Sequence, residues 1–401
     1  MLGGQKPTRQ SATMHLHFSF SLLLLFFTAV SHGTELPRGY GCLGDPVSVR
    51  RTENVTDLFV IAGDGKVYTS FLFPGFRTYS GWWPIEGFQS TPCAPIAAVS
   101  RSENHIDIFA VGTNRKIYTA AWEANNPGWK GWWQVSGFEA HDTRPFVSAV
   151  SRDTDKLDLF SVGTNSGVYT IGWQPESGWA ANWQRISTFQ ASDSAEIAVV
   201  SRQPGLMDIF APDKNGNIFT AAWTGTGWAG WWAVANGKTA SKYGNVAAVS
   251  RSRDKLDVFT IGSDGRVWTA WWQPGFNGFA GWAAVGSKSF PGFPNAPPIT
   301  AVSQSTDVIT LFAIGSNARI WTTRWSPQTG WVDWQLIQGL RNLRQGRIGA
   351  SSSTNGRLDV FAYGVAVFTG FVETWVQRRG DPGFCDMDSP TMPAQNGCTW
   401  Y

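Results

Sequence analysis

Residues Val246–Trp272 read VAAVSRSRDKLDVFTIGSDGRVWTAWW, and this stretch recurs along the chain. Its Asp257 has counterparts at Asp57, Asp107, Asp158, Asp208 and Asp359, with Thr310 in the sixth place, so the unit repeats every 49 to 53 residues. A Phe follows two residues on each time: Phe59, Phe109, Phe160, Phe210, Phe259, Phe312 and Phe361. A Thr follows in turn, at Thr69, Thr119, Thr170, Thr220, Thr269, Thr322 and Thr369. Seven copies in phase define a repeat architecture. Each copy reads as four short strands. An apolar run ending in Ser-Arg comes first, then LDVFTIG, then RVWTAWW, then a segment carrying Gly-Trp-Trp. Val, Ile, Phe, Tyr, Trp and Thr favour strands. Asp64-Gly65, Asn215-Gly216 and Asp264-Gly265 supply the positive φ of tight hairpin turns. Four strands in about 50 residues, repeated radially, describe a propeller blade, whereas tandem sandwiches need about 100 residues per domain. The expected fold is all-β, a seven-bladed β-propeller with four-stranded blades.

The seventh unit departs from the others. It runs from Ile348 through LDVFAYG to Phe371 with a hairpin that reads as two residues short, and no Gly-Trp-Trp follows. Trp375 is a candidate for the missing ring, and the tail with Cys385 and Cys398 either finishes the unit or wraps it. The expected organisation is a signal peptide over 1–33, a lead-in over 34–45, the propeller over 46–376 and a Cys-containing tail over 377–401. The apolar run Phe18–Val30 follows Lys6 and Arg9 and precedes Ser31 and Gly33, the pattern of a cleaved secretory signal, with Met14 an alternative start. It is shorter than the roughly 20 residues that span a bilayer. The chain is therefore expected to be secreted and extracellular, with no membrane span.

Secretion makes Cys42, Cys93, Cys385 and Cys398 disulfide candidates. Three connectivities are open. Cys42–Cys93 with Cys385–Cys398 is favoured over a link between the two ends of the chain. Asn54-Val55-Thr56 is an N-glycosylation sequon. The 401 residues carry 15% charged side chains and a net charge of +3, with no Lys/Arg-rich run, which gives no reason to expect a nucleic-acid partner. The chain uses 23 Trp and 44 Gly. So many flat amphipathic rings imply a repeated packing or binding need.

The recurring signature D-[VIL]-F-x-x-G-x-[DN]-G-x-[VI]-[WY]-T-x-x-W followed by G-W-W resembles the PLL-like family of seven-bladed propeller lectins. The second, third and fifth units match nearly throughout, and the resemblance covers about Pro46 to Phe371. It implies binding of L-fucose, or of O-methylated glycans, at shallow sites between adjacent blades. Gln304 and Thr310 in the sixth unit, Leu72 in the first and Ser353 in the seventh depart from the pattern. Sites involving those blades are in doubt.

Arg51, Arg101, Arg152, Arg202 and Arg251 each stand six residues before the repeat Asp. This spacing suits a structural Arg–Asp pair within each blade, and Gln304 and Thr310 replace both partners together. The same Arg can also present a fork of donors to sugar hydroxyls. On the third strand, Trp122, Trp173, Trp223, Trp272 and Trp325 read first as inter-blade packing. The fourth-strand rings, Trp82, Trp83, Trp132, Trp133, Trp183, Trp231, Trp232, Trp282 and Trp334, lie nearer solvent and suit the apolar face of a pyranose. The expected carbohydrate-binding residues are Arg101, Arg152, Arg202 and Arg251 with Trp83, Trp133, Trp183, Trp232, Trp282 and Trp334, in five or six competent junctions.

Catalysis is not expected. Glycosidases need two poised carboxylates, and a catalytic pair is normally unique, whereas these acidic residues recur from unit to unit. His105 and His141 are the histidines outside the signal region, neither near a nucleophile motif, and no zinc-ligand cluster or cofactor motif is present. The rival reading is a non-catalytic, protein-binding propeller scaffold, for which blade-specific side chains on one face would be the mark. An oligomer is compatible with either.

Overall fold

The LDVFTIG-type segments are buried along their length, because each lies in the middle of a sheet packed between two others. The computed structural model describes residues 44–73, 79–193, 195–237, 240, 246–290, 299–337, 348–352, 357–366, 369–377 and 385–386. Strands β1 (Val47–Thr52), β2 (Val55–Ile61), β3 (Val67–Leu72) and β4 (Trp83–Ile85) form the first blade. The second comprises β5 (Ile96–Ser102), β6 (His105–Val111), β7 (Ile117–Glu123) and β8 (Asn126–Gln134). In the third, β9 (Ser148–Asp153), β10 (Lys156–Val162) and β11 (Gly167–Gln174) are followed by an outer strand in two pieces, β12 (Gly178–Trp179) and β13 (Gln184–Gln190). The fourth has β14 (Ala198–Gln203), β15 (Leu206–Pro212), β16 (Ile218–Trp223) and β17 (Trp228–Ala233). The fifth has β18 (Val246–Ser252), β19 (Lys255–Ile261), β20 (Arg266–Trp272) and β21 (Ala283–Ser289). The sixth again splits its outer strand: β22 (Thr300–Ser305), β23 (Val308–Ile314), β24 (Ile320–Ser326), β25 (Gly330–Trp331) and β26 (Gln335–Leu336). A last sheet contains β27 (Gly349–Ser352), β28 (Leu358–Ala366), β29 (Thr369–Gln377) and β30 (Cys385–Asp386).

The protein is an all-β propeller of four-stranded blades. The first strands neighbour one another in the order β1, β5, β9, β14, β18, β22, β27, and β27 neighbours β1. They line a central channel whose walls include Ala97, Ala149, Ala247, Ala301 and Ala350. Small side chains let the strands converge there. The larger apolar clusters each span two neighbouring blades. Phe109 and Val111 of the second blade pack with Leu157, Leu159 and Ile171 of the third, and Phe259 and Ile261 of the fifth pack with Ile309 and Leu311 of the sixth. Each repeat Phe is fully buried, and those of the first five blades meet an aromatic ring of the following blade edge-on, as Phe160 meets Trp228 at 5.7 Å and 89°. The second hairpin of each blade turns on a left-handed residue, Gly265 at φ 74° in the fifth blade, where a side chain would be strained.

The last sheet corrects two expectations and bears on the two alternatives left open for the tail. Where the other blades pair Phe with Thr, as Phe259 with Thr269, the register pairs Phe361 with Thr374 and not Thr369. The hairpin is therefore longer than in the other blades, not shorter. Its Gly-Val-Ala-Val lacks the Asp-Gly signal, so the ladder runs on to Ala366 opposite Thr369. Trp375 lies on β29, the third strand, and β30 comes from within 377–401, so that segment completes the sheet rather than only trailing it. Residues 1–33, Cys42, Cys398 and Ser353 lie outside the described residues. Cys93 is disulfide-bonded. Asn54 is exposed in the turn after β1. Among the described residues, no helix is long and apolar enough to cross a membrane.

Candidate functional site

The Arg of each first strand folds onto the Asp of its own second strand. Arg51 Nε donates to Asp57 at 2.6 Å, Arg101 Nε to Asp107 at 2.7 Å, and Arg202 Nη1 to both oxygens of Asp208 at 2.9 Å. Arg152–Asp158 and Arg251–Asp257 pair in the same way. In the sixth blade Thr310 Oγ1 donates to Gln304 Oε1 at 2.7 Å, a neutral pair in the same place. The last sheet meets the need differently: Asp359 is held by Arg357 and by Arg50, which reaches over from the first blade.

These guanidinium groups also face the third-strand Trp of the next blade. Arg51 lies 4.3 Å from the centroid of Trp122, Arg101 4.3 Å from Trp173, Arg251 5.1 Å from Trp325 and Arg202 5.6 Å from Trp272. The third-strand Trp is thus an inter-blade contact, a cation–π partner worth about 0.5–2 kcal/mol depending on desolvation. Burial pushes the Asp158 carboxyl up to about 7 and those of Asp208 and Asp257 to about 6, against the opposing pull of each paired Arg. Burial raises Asp57 and Asp107 as well.

Between the third and fourth blades this arrangement opens into a cleft of about 230 Å³. Arg152 and Asp158 form its floor, Trp223 and Trp228 of the fourth blade one wall, and Gln174 and Asn182 of the third supply amides opposite. The fourth blade closes the rear, with Gly205 N–H donating to Arg152 O at 2.9 Å. Donors, acceptors and flat rings converge on one small concavity, the composition expected of a site for a small polar ligand.

Of the ten residues expected to bind, the structure brings Arg101, Arg152, Arg202 and Arg251 to the blade junctions. The six Trp take other places. Trp183, Trp282 and Trp334 donate their indole N–H to Val135 O, Ala235 O and Val285 O of the preceding blade at 3.2, 3.2 and 2.8 Å. They are packing rings, as Trp231 is on Phe189 at 4.2 Å. Trp83, Trp133 and Trp232 stand one residue further on, opposite Thr69, Thr119 and Thr220. Trp133 and Trp232 are 54% and 40% exposed on the outer edge. None of the six lines the cleft between the third and fourth blades.

The rings that sequence reasoning missed are Trp129, Trp179, Trp228 and Trp331, with Phe279 in the fifth blade. Each leans edge-on against the preceding blade's Phe at 5.5 to 5.9 Å. A signal was present: Gly128-Trp129, Gly178-Trp179, Gly227-Trp228, Gly278-Phe279 and Gly330-Trp331 recur just ahead of the Gly-Trp-Trp element and its counterparts.

The sequence matches no family model and no curated protein. Solved structures do resemble it. The BP39L lectin from Burkholderia pseudomallei superposes with a TM-score of 0.73 at 20% identity, over 84% of this chain and 96% of that one. Aleuria aurantia lectin in complex with Fucα1-6GlcNAc gives a TM-score of 0.51 at 16% identity, over 74% of this chain and 96% of that one. SapL1 lectin in complex with α-methyl fucoside gives 0.50 at 18% identity, over 77% and 98%. At these identities the likeness is one of fold.

Proposed function

We propose that the protein is a secreted, non-catalytic lectin that binds a terminal fucose or a related sugar, O-methylated sugars included, in clefts between its blades. The observation that carries this reading is the cleft between the third and fourth blades, where the Arg152–Asp158 pair faces Trp223 and Trp228. A pyranose has hydroxyls that need both donors and acceptors and a C–H face that suits an aromatic ring; this cleft offers all three. The propeller lectins of similar fold support it, two of them in complex with fucosides. In this reading the last sheet serves as a seventh blade, supported by β27 lying between β22 and β1.

Each cleft buries little of its ligand, so single-site affinity is modest. Repeated sites on a glycan-coated surface raise avidity by about 10²–10⁴. Secretion accords with the apolar N-terminal run and with the disulfide at Cys93. Cys42 is its proposed partner. Gly44 N–H donates to Ile61 O and Cys93 N–H to Ala62 O, which places the two segments side by side. Glycosylation at exposed Asn54 is part of the same proposal.

The test is a glycan-array screen of the secreted protein with fucosylated and O-methylated sugars. Binding to a coherent set, competed away by free fucose and unchanged by chelator, is expected. A folded protein that ignores every glycan overturns the lectin reading. The alternative, a protein-binding scaffold, has its own support in exposed Trp133 and Trp232, and that result would favour it.

A further inference from the structure

Five junctions carry an Arg–Asp pair, yet they are not equally open, and one strand position accounts for the difference. Residues directly opposite in an antiparallel pair share a face of the sheet. The third-strand residue opposite the repeat Asp is Phe71 for Asp57, Ala121 for Asp107, Gly172 for Asp158, Ala222 for Asp208 and Trp271 for Asp257. A Cβ at Gly172 would fall 3.3 Å from Asp158 Oδ1 and 3.4 Å from Arg152 Nη1. A side chain at this position therefore lies over the ion pair, on the floor of the cleft.

The exposure of the guanidinium side chain follows the size of that residue. It is 17% for Arg152, 14% for Arg202 and 10% for Arg101, where Gly or Ala stands opposite the Asp. It falls to 7% for both Arg51 and Arg251, where Phe71 and Trp271 stand there. Phe71 packs on Phe73 at 5.0 Å, and the Phe73 ring lies 5.8 Å from the Arg51 guanidinium, so the first pair is roofed by aromatic carbon. The sixth blade lacks both ionic partners and sets Arg324 opposite Thr310.

We infer that this third-strand residue is the gate that decides which clefts take a sugar. The clefts that follow the second, third and fourth blades are open, through Ala121, Gly172 and Ala222. Those that follow the first and fifth are shut, by Phe71 and Trp271. The inference rests on the lectin reading and sharpens it: the chain offers three adjacent sites on one side of the ring, not five or six around it. Valence is then set by side-chain volume at one position, separately from the Arg–Asp pair that holds each blade.

Equilibrium dialysis of the full secreted chain against saturating α-methyl-L-fucoside reads the stoichiometry. Three equivalents are expected. Gly172→Trp should reduce them to two, and Trp271→Ala should raise them to four. Trp271→Ala relieves crowding rather than adding it, so it decides the matter even if Gly172→Trp does not fold by near-ultraviolet circular dichroism. Five equivalents in the unaltered protein, or a stoichiometry that Trp271→Ala leaves at three, overturns the gate and leaves the lectin reading intact. No saturable binding at all overturns the lectin reading and the gate with it.

Discussion

Replacing Asp257 by Ala should cost the fold about 3–5 kcal/mol, the range for removing one partner of a buried ion pair. Both side chains of the Arg251–Asp257 pair are only 7% exposed. The loss leaves the Arg251 guanidinium with Asp307, 3.4 Å from its Nε and more exposed, in place of its buried partner, in a region where burial pushes the Asp257 carboxyl up to about 6. The sixth blade shows how the same site is filled without charge, by Gln304 and Thr310 in a hydrogen bond of 2.7 Å. The double variant Arg251→Gln, Asp257→Thr should therefore recover most of what Asp257→Ala loses. Denaturant unfolding of the three proteins measures this. Asp257→Ala with unchanged stability, or a double variant no better than the single one, contradicts a structural role for the pair. Trp271 shuts the cleft over this pair, so fucoside stoichiometry should be unchanged in any Asp257 variant that stays folded.

A second large effect is expected at Phe259. Its ring is fully buried and stands at 90° to Trp331 of the sixth blade, 5.8 Å between centroids. Phe259→Ala should cost about 3–5 kcal/mol as a large-to-small change in a close-packed core, with the aromatic contact about 0.5–1.5 kcal/mol of it. Phe259→Leu keeps most of the volume and should cost much less. Both changes weaken a junction between blades, not the interior of one blade, so unfolding should remain a single cooperative step. A loss below about 1 kcal/mol for Phe259→Ala would show that the blades do not depend on these Phe–Trp contacts.

Blade boundaries were legible in the sequence because each blade solves the same local problem with the same residues. A second strand that is apolar apart from its Asp and an occasional polar residue such as Lys, Ser or Thr marks the sheet centre, and Asp264-Gly265 or its like marks the turn. The Arg–Asp pair was legible too, since Gln304 and Thr310 change together. The cleft was not, because it is made by two blades and depends on register. In Gly131-Trp132-Trp133 the two rings look alike in sequence. In the fold Trp132 stacks on Phe88 of the first blade at 4.3 Å, while Trp133 faces outward. The cleft rings sit earlier, on the Gly-Trp step, where the interrupted outer strands of the third and sixth blades show how irregular that segment is. The last sheet misled for a related reason: with no Asp-Gly or Asn-Gly at the hairpin, the sequence carries no sign of where β28 stops.

The gate position was equally hidden. Ala121, Gly172, Ala222 and Trp271 are unremarkable strand residues until the ladder sets each against its Asp. The clefts with small gates are consecutive, so three sites would face a glycan surface from one side of the ring.

In the proposed lectin, sugar sits between blades against the Arg–Asp floor. A crystal structure of the protein soaked with α-methyl-L-fucoside tests it most directly. The pyranose is expected between the third and fourth blades, its apolar face on Trp228 and its hydroxyls on Arg152. Sugar found instead on the outward rings of Trp133 and Trp232, with the inter-blade clefts empty at saturation, would contradict it.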